Sequence, residues 1–320
     1  MMLARVAENM YWMARYLERA EDLARLIDVT THLHLDLPRG STPSWGTLLT
    51  LIGAEESYRE KHGTAQDEAR VLRFLLGDKD HPQSLRAAIA AARSNARGFR
   101  EVFPREAWED INGLYHFSQE QLKSGLSKRG RHTYLRGIIT RVQTVVGRLE
   151  GAMNRDEAYY FIELGRQLER ADMTTRLIDS SSARLVPREG SDGARFDDLQ
   201  WMSVLKSLTG YQMYRLEMQR AIRSDSVLAF LFQSSRFPRS VAGALLALRR
   251  SLEALDPDAP LPRRLPQVLR QVSQLEPEGL AGEKLHALID ELQQGFADIH
   301  GQLERRYFRP SRSADPETAS

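Results

Sequence analysis

The sequence predicts an all-α protein, a helical bundle of about 10–12 helices built from two related halves. Three observations predict this fold. Apolar residues recur every three or four positions along most of the chain, and few stretches alternate with the period of two that strands require. Clusters of glycine, proline and polar residues separate the periodic stretches. One fifteen-residue pattern occurs twice, which indicates a repeated unit.

The first helix has the clearest pattern, because its apolar residues alternate by four and three from Val6 to Ile27. The same alternation returns from Phe161 to Ile178, which predicts a second helix of this kind. We expect further helices over about 45–60, 65–76, 83–100, 105–127, 131–151, 198–222, 225–234, 238–254, 264–275 and 281–307.

The stretches between these helices are rich in residues that break helices. We expect loops at 37–44, 77–82 and 256–266, and a surface loop at 187–198 that holds extra residues in the second half. The tail 309–320 is polar, contains two prolines and is expected to be disordered.

The repeated pattern reads ARYLERAEDLARLID at 14–28 and GRQLERADMTTRLID at 165–179, with nine of fifteen positions identical. Apolar periodicity alone would repeat leucines but not charges in register. We therefore predict an internal duplication, with halves 1–155 and 156–308 packed as one body. Further along, Tyr58 and Tyr214 match at a shift of 156.

The repeated helix is apolar over most of its circumference, so its charged residues should be buried and need partners. Glu21 precedes Arg25 by four residues, an order that favours an ion pair within a helix. Arg15 and Arg19 are like charges one turn apart, which suits a shared anion. The repeated charges are Arg15, Glu18, Arg19 and Arg25 in the first copy and Arg166, Glu169, Arg170 and Arg176 in the second.

Two interpretations of these charges stay open. In the structural one, Glu18 and Arg19 pair with Arg170 and Glu169, or with neighbouring helices, and lock the halves together. In the functional one, the two motifs face a shared cleft that binds a small anionic or amino-acid-like ligand. Glu18 and Glu169 are then candidates for acid/base catalysis, although no reaction follows from the motif itself.

The two copies differ at positions beside the shared charges. Trp12 and Tyr16 of the first copy become Glu163 and Gln167 in the second, which adds a carboxylate and an amide where the first copy has aromatic rings. If the motifs line one cleft, this difference makes it asymmetric.

A second candidate surface lies in the basic stretch 121–149, which contains no acidic residue. The stretch reads as a solvated face, or as a surface that docks an acidic partner or a nucleotide phosphate. The candidate docking residues are Lys128, Arg129, Arg131 and Arg136.

The histidines give only weak indications of a metal site. His32, His34 and Asp36 alternate and would share one side of an extended strand. The helical pattern runs into this segment, however, and a helix would spread these residues around its axis. We therefore expect no metal and no cofactor.

Composition excludes several classes of function. The chain has 45 basic and 43 acidic residues, whereas nucleic-acid binders usually show a clustered basic excess. It has no cysteine, which excludes disulfides and a cysteine nucleophile. No apolar run approaches the roughly 20 residues of a membrane helix, and the charged N-terminus does not resemble a signal peptide. We expect a cytoplasmic protein.

The paired Glu18-Arg19 and Glu169-Arg170 motifs, and the opening ENMYWMARYLERAED at 8–22, resemble the alpha-E family over nearly the whole chain. That family is an all-helical domain named for its Glu-Arg motif. The resemblance implies a circularly permuted ATP-grasp protein as partner, often with a transglutaminase-like protein. It therefore implies an accessory or substrate-binding role in amide or peptide ligation. A stand-alone enzyme and a non-catalytic scaffold are the alternatives.

Overall fold

The computed structural model describes residues 2–36, 44–182 and 191–309, and every regular element in these ranges is helical. Residues 310–320, where disorder is expected, lie outside the described residues. No helix in the described ranges has the length and apolar character needed to cross a membrane. The helices are α1 (Ala4–Asp36), α2 (Thr47–Leu51), α3 (Glu55–His62), α4 (Glu68–Gly77), α5 (Leu85–Arg97), α6 (Arg105–Glu120), α7 (Leu122–Leu126), α8 (Arg131–Ala152), α9 (Glu157–Ser182), α10 (Ser191–Ser207), α11 (Tyr211–Met218), α12 (Ser224–Gln233), α13 (Val241–Leu255), α14 (Arg264–Ser273), α15 (Gly282–Leu303) and a terminal π-helix (Glu304–Phe308).

The described ranges contain fifteen α-helices where about 10–12 are predicted, because three predicted helices are each divided in two. Gly53, with φ of 66°, separates α2 from α3, and Thr209, with φ of 54°, lies between α10 and α11. Gln121 separates α6 from α7. The apolar periodicity continues across these breaks, so it does not reveal them.

The expected surface loop at 187–198 is wrong over its second part, since α10 begins at Ser191. Serine and aspartate in this stretch suit a loop, but they also suit the first turn of a helix. Residues 187–190 lie outside the described ranges.

The motif helices α1 and α9 form the central pair of the bundle. Their backbones approach closely at Gly165, where an added Cβ would overlap the carbonyl group of Tyr11. Ala14 occupies the matching position of the first copy and is also buried. Small residues at this crossing therefore let the two motif helices touch along their charged stripes.

The other helices surround this pair in a recurring arrangement. Helices α5 and α8 pack against α1, and α13 and α15 pack against α9. In addition, α2 packs against α9, while α10 packs against α1. Each motif helix is thus covered mainly by helices of its own predicted half, while α2 and α10 reach the motif helix of the other. One continuous hydrophobic core includes residues from both predicted halves.

Individual contacts also recur between the halves. The hydroxyl of Tyr58 donates to the carbonyl of the residue seven positions later, and so does that of Tyr214. Buried Ser84 and Ser240 cap the N-termini of α5 and α13 by accepting from backbone N–H groups. These recurrences are what a duplication would produce, while the boundary near residue 155 stays a prediction.

Candidate functional site

Glu169 lies at the centre of the bundle, where both oxygens of its carboxylate accept from α1. The Nε–H of Arg15 donates to one oxygen at 2.6 Å, and the Nε–H of Arg19 donates to the other at 2.6 Å. Only 1% of Glu169 is exposed. The two arginines of the first motif therefore share an anion that belongs to the second motif.

Glu18, the matching residue of the first motif, has a different set of partners. Arg170 donates to its Oε1 at 2.8 Å, and Arg239 lies 2.8 Å from the same oxygen. The repeat would predict that Arg166 and Arg170 share the carboxylate of Glu18, but Arg166 does not bind it. Its Nη2 instead lies 2.6 Å from carboxylates of Glu150 and Glu163.

Arg239 is the residue of this network that the sequence did not reveal. It lies in the turn before α13, where its carbonyl accepts from the hydroxyl of Thr174 on α9. Its guanidinium also reaches Asp22 at 2.6 Å and Glu21 at 3.2 Å. Arg239 lies outside the fifteen-residue pattern, and glutamine occupies position 83, which matches it at the shift of 156, so no repeated charge indicated this residue.

The remaining motif arginines, Arg25 and Arg176, form ion pairs within their own helices, as expected above for Arg25. Arg25 binds Glu21, with 3.0 Å between Arg25 Nε and Glu21 Oε1. Arg176 binds Asp172, with 2.9 Å between Nε and Oδ2. Arg25 is buried beside the network around Glu18, whereas Arg176 is nearly a third exposed and pairs locally.

The electrostatic environment argues against Glu18 and Glu169 as acid/base groups. Burial would raise the pKa of Glu18, but Arg170 and Arg239 outweigh it and hold the pKa at about 2. The pKa of Glu169 is likewise about 2, because Arg15 and Arg19 overcome the effect of burial. Both carboxylates are ionised and paired at neutral pH, whereas a general base works best with a pKa near the working pH.

Asp22 has the opposite shift. Burial raises its pKa to about 7, and the nearby charges of Glu18 and Glu21 add to this effect against the opposing charge of Arg239. This carboxyl therefore changes charge near neutral pH. Its counterpart in the second copy is Met173, so the feature belongs to the Glu18 side alone.

A cleft of about 610 Å³ opens beside the Glu18 network, between α1, α8, α9, α13 and the turn before α13. This volume is in the range of small-molecule sites. Arg236 and Arg250 are exposed, and their side chains form no ion pair or hydrogen bond with any described residue. The charged residues of the cleft are Glu21, Arg25, Glu150, Glu163, Arg166, Arg170, Arg236, Arg239 and Arg250.

The residues that flank the two motifs explain why the cleft opens beside Glu18 and not beside Glu169. Arg15 lies over the ring of Trp12 at 5.1 Å, and Arg19 over that of Tyr16 at 5.5 Å. On the other side, the matching Glu163 and Gln167 line the cleft. The asymmetry expected from these substitutions is therefore present in the structure.

Two residues that line the cleft have a buried polar atom without a partner. Arg166 Nε and Gln167 Oε1 are shielded and form no hydrogen bond with the described residues. Buried polar groups are normally satisfied by protein, water or ligand. Arg166 and Gln167 therefore have unused hydrogen-bonding capacity in the wall of the cleft.

The docking surface predicted for the basic stretch needs a correction at Arg131. Its side chain is 3% exposed and pairs with Glu68 at 2.8 Å, so it is a structural residue rather than a docking one. Lys128 is exposed and also lies near Glu68, at 3.4 Å. Arg129 and Arg136 are exposed and stay candidates for docking.

His32 and His34 lie on a helix, as expected above, and do not share one side with Asp36 as they would on an extended strand. The helix continues through this segment to Asp36, and the ring of His34 stacks on Trp45 at 4.6 Å between centroids. His32 instead lies near Asp28 and His132, whose donor atoms are grouped within 4.8 Å.

The fold and site define a class of protein: an all-helical bundle whose central helices exchange buried Glu-Arg ion pairs. The chain belongs to the Alpha-E family, described as a predicted alpha-helical domain with a conserved ER motif, and residues 2–308 match that family. It is 22% identical over 319 residues to uncharacterized proteins of Mycobacterium bovis and Mycobacterium tuberculosis. The match covers 93% of this chain and 35% of each relative, so the chain spans about a third of their length. No solved structure matches.

Proposed function

We propose that the cleft binds a small carboxylate-bearing, amino-acid-like ligand, and that the protein is a substrate-binding component of an amide-ligation pathway. The observation that carries this proposal is the pair of unpaired guanidiniums, Arg236 and Arg250, on a cleft of about 610 Å³. Arginine suits planar carboxylates because it donates two parallel hydrogen bonds.

An acceptor in the cleft favours a ligand that also carries an amine. Gln167 Oε1 has no donor, and three glutamates line the cleft. An ammonium group would supply a donor for Gln167 Oε1 while the carboxylate of the ligand binds Arg236 and Arg250. A zwitterion offers donors as well as acceptors, whereas a phosphate offers only acceptor oxygens.

The partner in this proposal is a circularly permuted ATP-grasp protein, often accompanied by a transglutaminase-like protein, as the family resemblance implies. The length of the mycobacterial relatives supports work alongside other domains, because the matched region is only 35% of each. The exposed Arg129 and Arg136 offer a surface for an acidic face of the partner. The bound ligand would then be the carboxylate that the ligase activates or the amine that it acylates.

Ligand binding is tested by thermal shift and calorimetry with amino acids, dipeptides and dicarboxylates as probes. Arg236→Gln with Arg250→Gln should weaken binding of a hit at least tenfold without lowering the melting temperature. Arg270→Gln is the matched control, because Arg270 is exposed on α14 away from the cleft. Equal affinity in wild type and double variant would refute the site.

The role in ligation is tested separately by co-purification with the ATP-grasp protein and by assay of its amide product. Loss of product in the double arginine variant, with the complex intact, would support substrate binding. An unchanged yield would leave a scaffold role. Activity of the isolated chain on such probes would instead favour a stand-alone enzyme, for which Asp22 rather than Glu18 has a suitable pKa of about 7.

A further inference from the structure

We propose that Asp28, His32 and His132 form a binding site for zinc or a similar divalent transition-metal ion. The site lies where the N-terminal end of α8 meets α1, and its three donor atoms lie within 4.8 Å of one another. It is independent of the cleft and of the ligand proposed there.

The spacing of the donors is close to what a tetrahedral ion requires. Two ligands of zinc at about 2.0–2.1 Å lie roughly 3.3 Å apart in tetrahedral geometry. His132 Nδ1 lies 2.8 Å from Asp28 Oδ1, and the three donor atoms all lie within 4.8 Å of one another. Side-chain shifts of about 1 Å therefore bring the set to coordination distance.

The donor set also selects the kind of ion. Two imidazoles and one carboxylate suit zinc and its neighbours, whereas calcium and magnesium prefer oxygen ligands alone. Three protein ligands leave a fourth position for water, as in zinc sites that remain open. Both histidines are more than half exposed, so an ion can reach them from solvent.

His32 has the orientation that metal-bound histidines usually show. Its Nδ1 lies 2.7 Å from the carbonyl oxygen of Asp28. A ring that donates this nitrogen to a carbonyl presents the other nitrogen to a metal, and such bonds fix the tautomer. The rings of His32 and His132 meet edge to face at 5.1 Å between centroids, and one ligand atom of each lies within 4.8 Å of the other and of an oxygen of Asp28.

Comparison with the second half of the chain distinguishes this site from an aspartate–histidine contact that only joins two helices. Asp179 and His286 repeat the aspartate–histidine contact at 2.9 Å, so that pair has a structural role in both halves. Position 183, which matches His32, is alanine. The nearby Asp290 meets the opposite nitrogen of His286, so these donors do not converge. His32 is thus the added ligand that turns a recurring contact into a metal site.

The test is titration of the full chain with Zn²⁺ by calorimetry and with Co²⁺ by visible absorption. We expect one ion per chain and the absorption of tetrahedral cobalt. His32→Ala and His132→Ala should each weaken binding at least tenfold, with helix content unchanged by circular dichroism. His286→Ala is the matched control and should bind as the wild type does.

Three results would overturn the site: no saturable binding of one ion, wild-type affinity in His32→Ala, or an equal loss in His286→Ala. Because the histidines are exposed, loss of folding is not expected to obscure these outcomes. Binding that survives both first-half variants would belong to another place on the chain.

Discussion

Replacement of Glu169 by glutamine tests the buried ion network most directly. The variant keeps the shape of the side chain but leaves Arg15 and Arg19 together without their shared anion. The folded pKa of about 2, against 4.5 for a free glutamate, corresponds to about 3 kcal/mol of stability at neutral pH. Removing one partner of a buried pair costs about 3–5 kcal/mol. We therefore expect Glu169→Gln to lose about 3–5 kcal/mol in free energy of unfolding at pH 7.

The pH dependence distinguishes loss of the charge from poor packing. Because the pKa of Glu169 is lowered on folding, its stabilisation is complete above pH 4.5 and is lost as the pH falls towards 2. Urea denaturation at pH 7 and pH 3 should therefore show the gap between wild type and variant shrinking by about 2 kcal/mol. Glu101→Gln, at an exposed position, is the control and should show no gap. A gap that stays constant with pH, or is below 1 kcal/mol at pH 7, would refute the reasoning.

Three further substitutions give expected outcomes by the same denaturation assay. As the pH rises from 4 to 8, the free energy of unfolding of Asp22→Asn should increase by up to about 4 kcal/mol relative to that of the wild type. Only the wild type must ionise a buried carboxyl, whose pKa is raised from 3.8 to about 7. A difference that stays constant with pH would contradict this. Gly165→Ala should lose about 1–3 kcal/mol by forcing α1 from α9, whereas Gly113→Ala on an open helix face should gain about 0.5–1 kcal/mol. Arg131→Gln should lose about 1.5–3 kcal/mol in free energy of unfolding by removing a charge-assisted contact to Glu68, which Lys128 alone then pairs. Arg129→Gln should change this free energy by less than about 0.5 kcal/mol. Equal effects would restore both to the docking surface.

The exchange of ion pairs between the motif helices could be predicted because the repeat returns charges as well as apolar residues. A helix that is apolar over most of its surface cannot leave Glu18 or Glu169 in water, so each must find a cation. The repeat offers Arg170 and Arg19 for this purpose, and the structure places both at hydrogen-bond distance. Arg166 departs from the pattern because it pairs with Glu163 one turn earlier on α9, where the first copy has Trp12, and with Glu150 on α8. The repeat alone does not show these partners.

The burial of Arg131 is indicated by helical spacing, although the basic composition of its surroundings favours an exposed position. It lies in a stretch without acids, which favours an exposed basic face. However, Tyr134, Leu135 and Ile138 follow it at three, four and seven residues, and all are buried on one side of α8. Arg131 begins that buried side, so helical spacing predicts its burial better than the local charge does.

The glutamates of the two Glu-Arg motifs are equally buried, but the surroundings of the arginines differ, and we expect this difference to give the two motifs different roles. Around Glu169, aromatic rings cover both guanidiniums and add about 0.5–2 kcal/mol of attraction each where water is excluded. Around Glu18, polar residues replace those rings, and the cationic cleft opens instead. One of the two Glu-Arg contacts is enough to join α1 to α9, so the residues around the other can contribute to binding. Substitutions at Glu169 should therefore act through stability alone, whereas those at Glu18 should alter both stability and the affinity of the cleft.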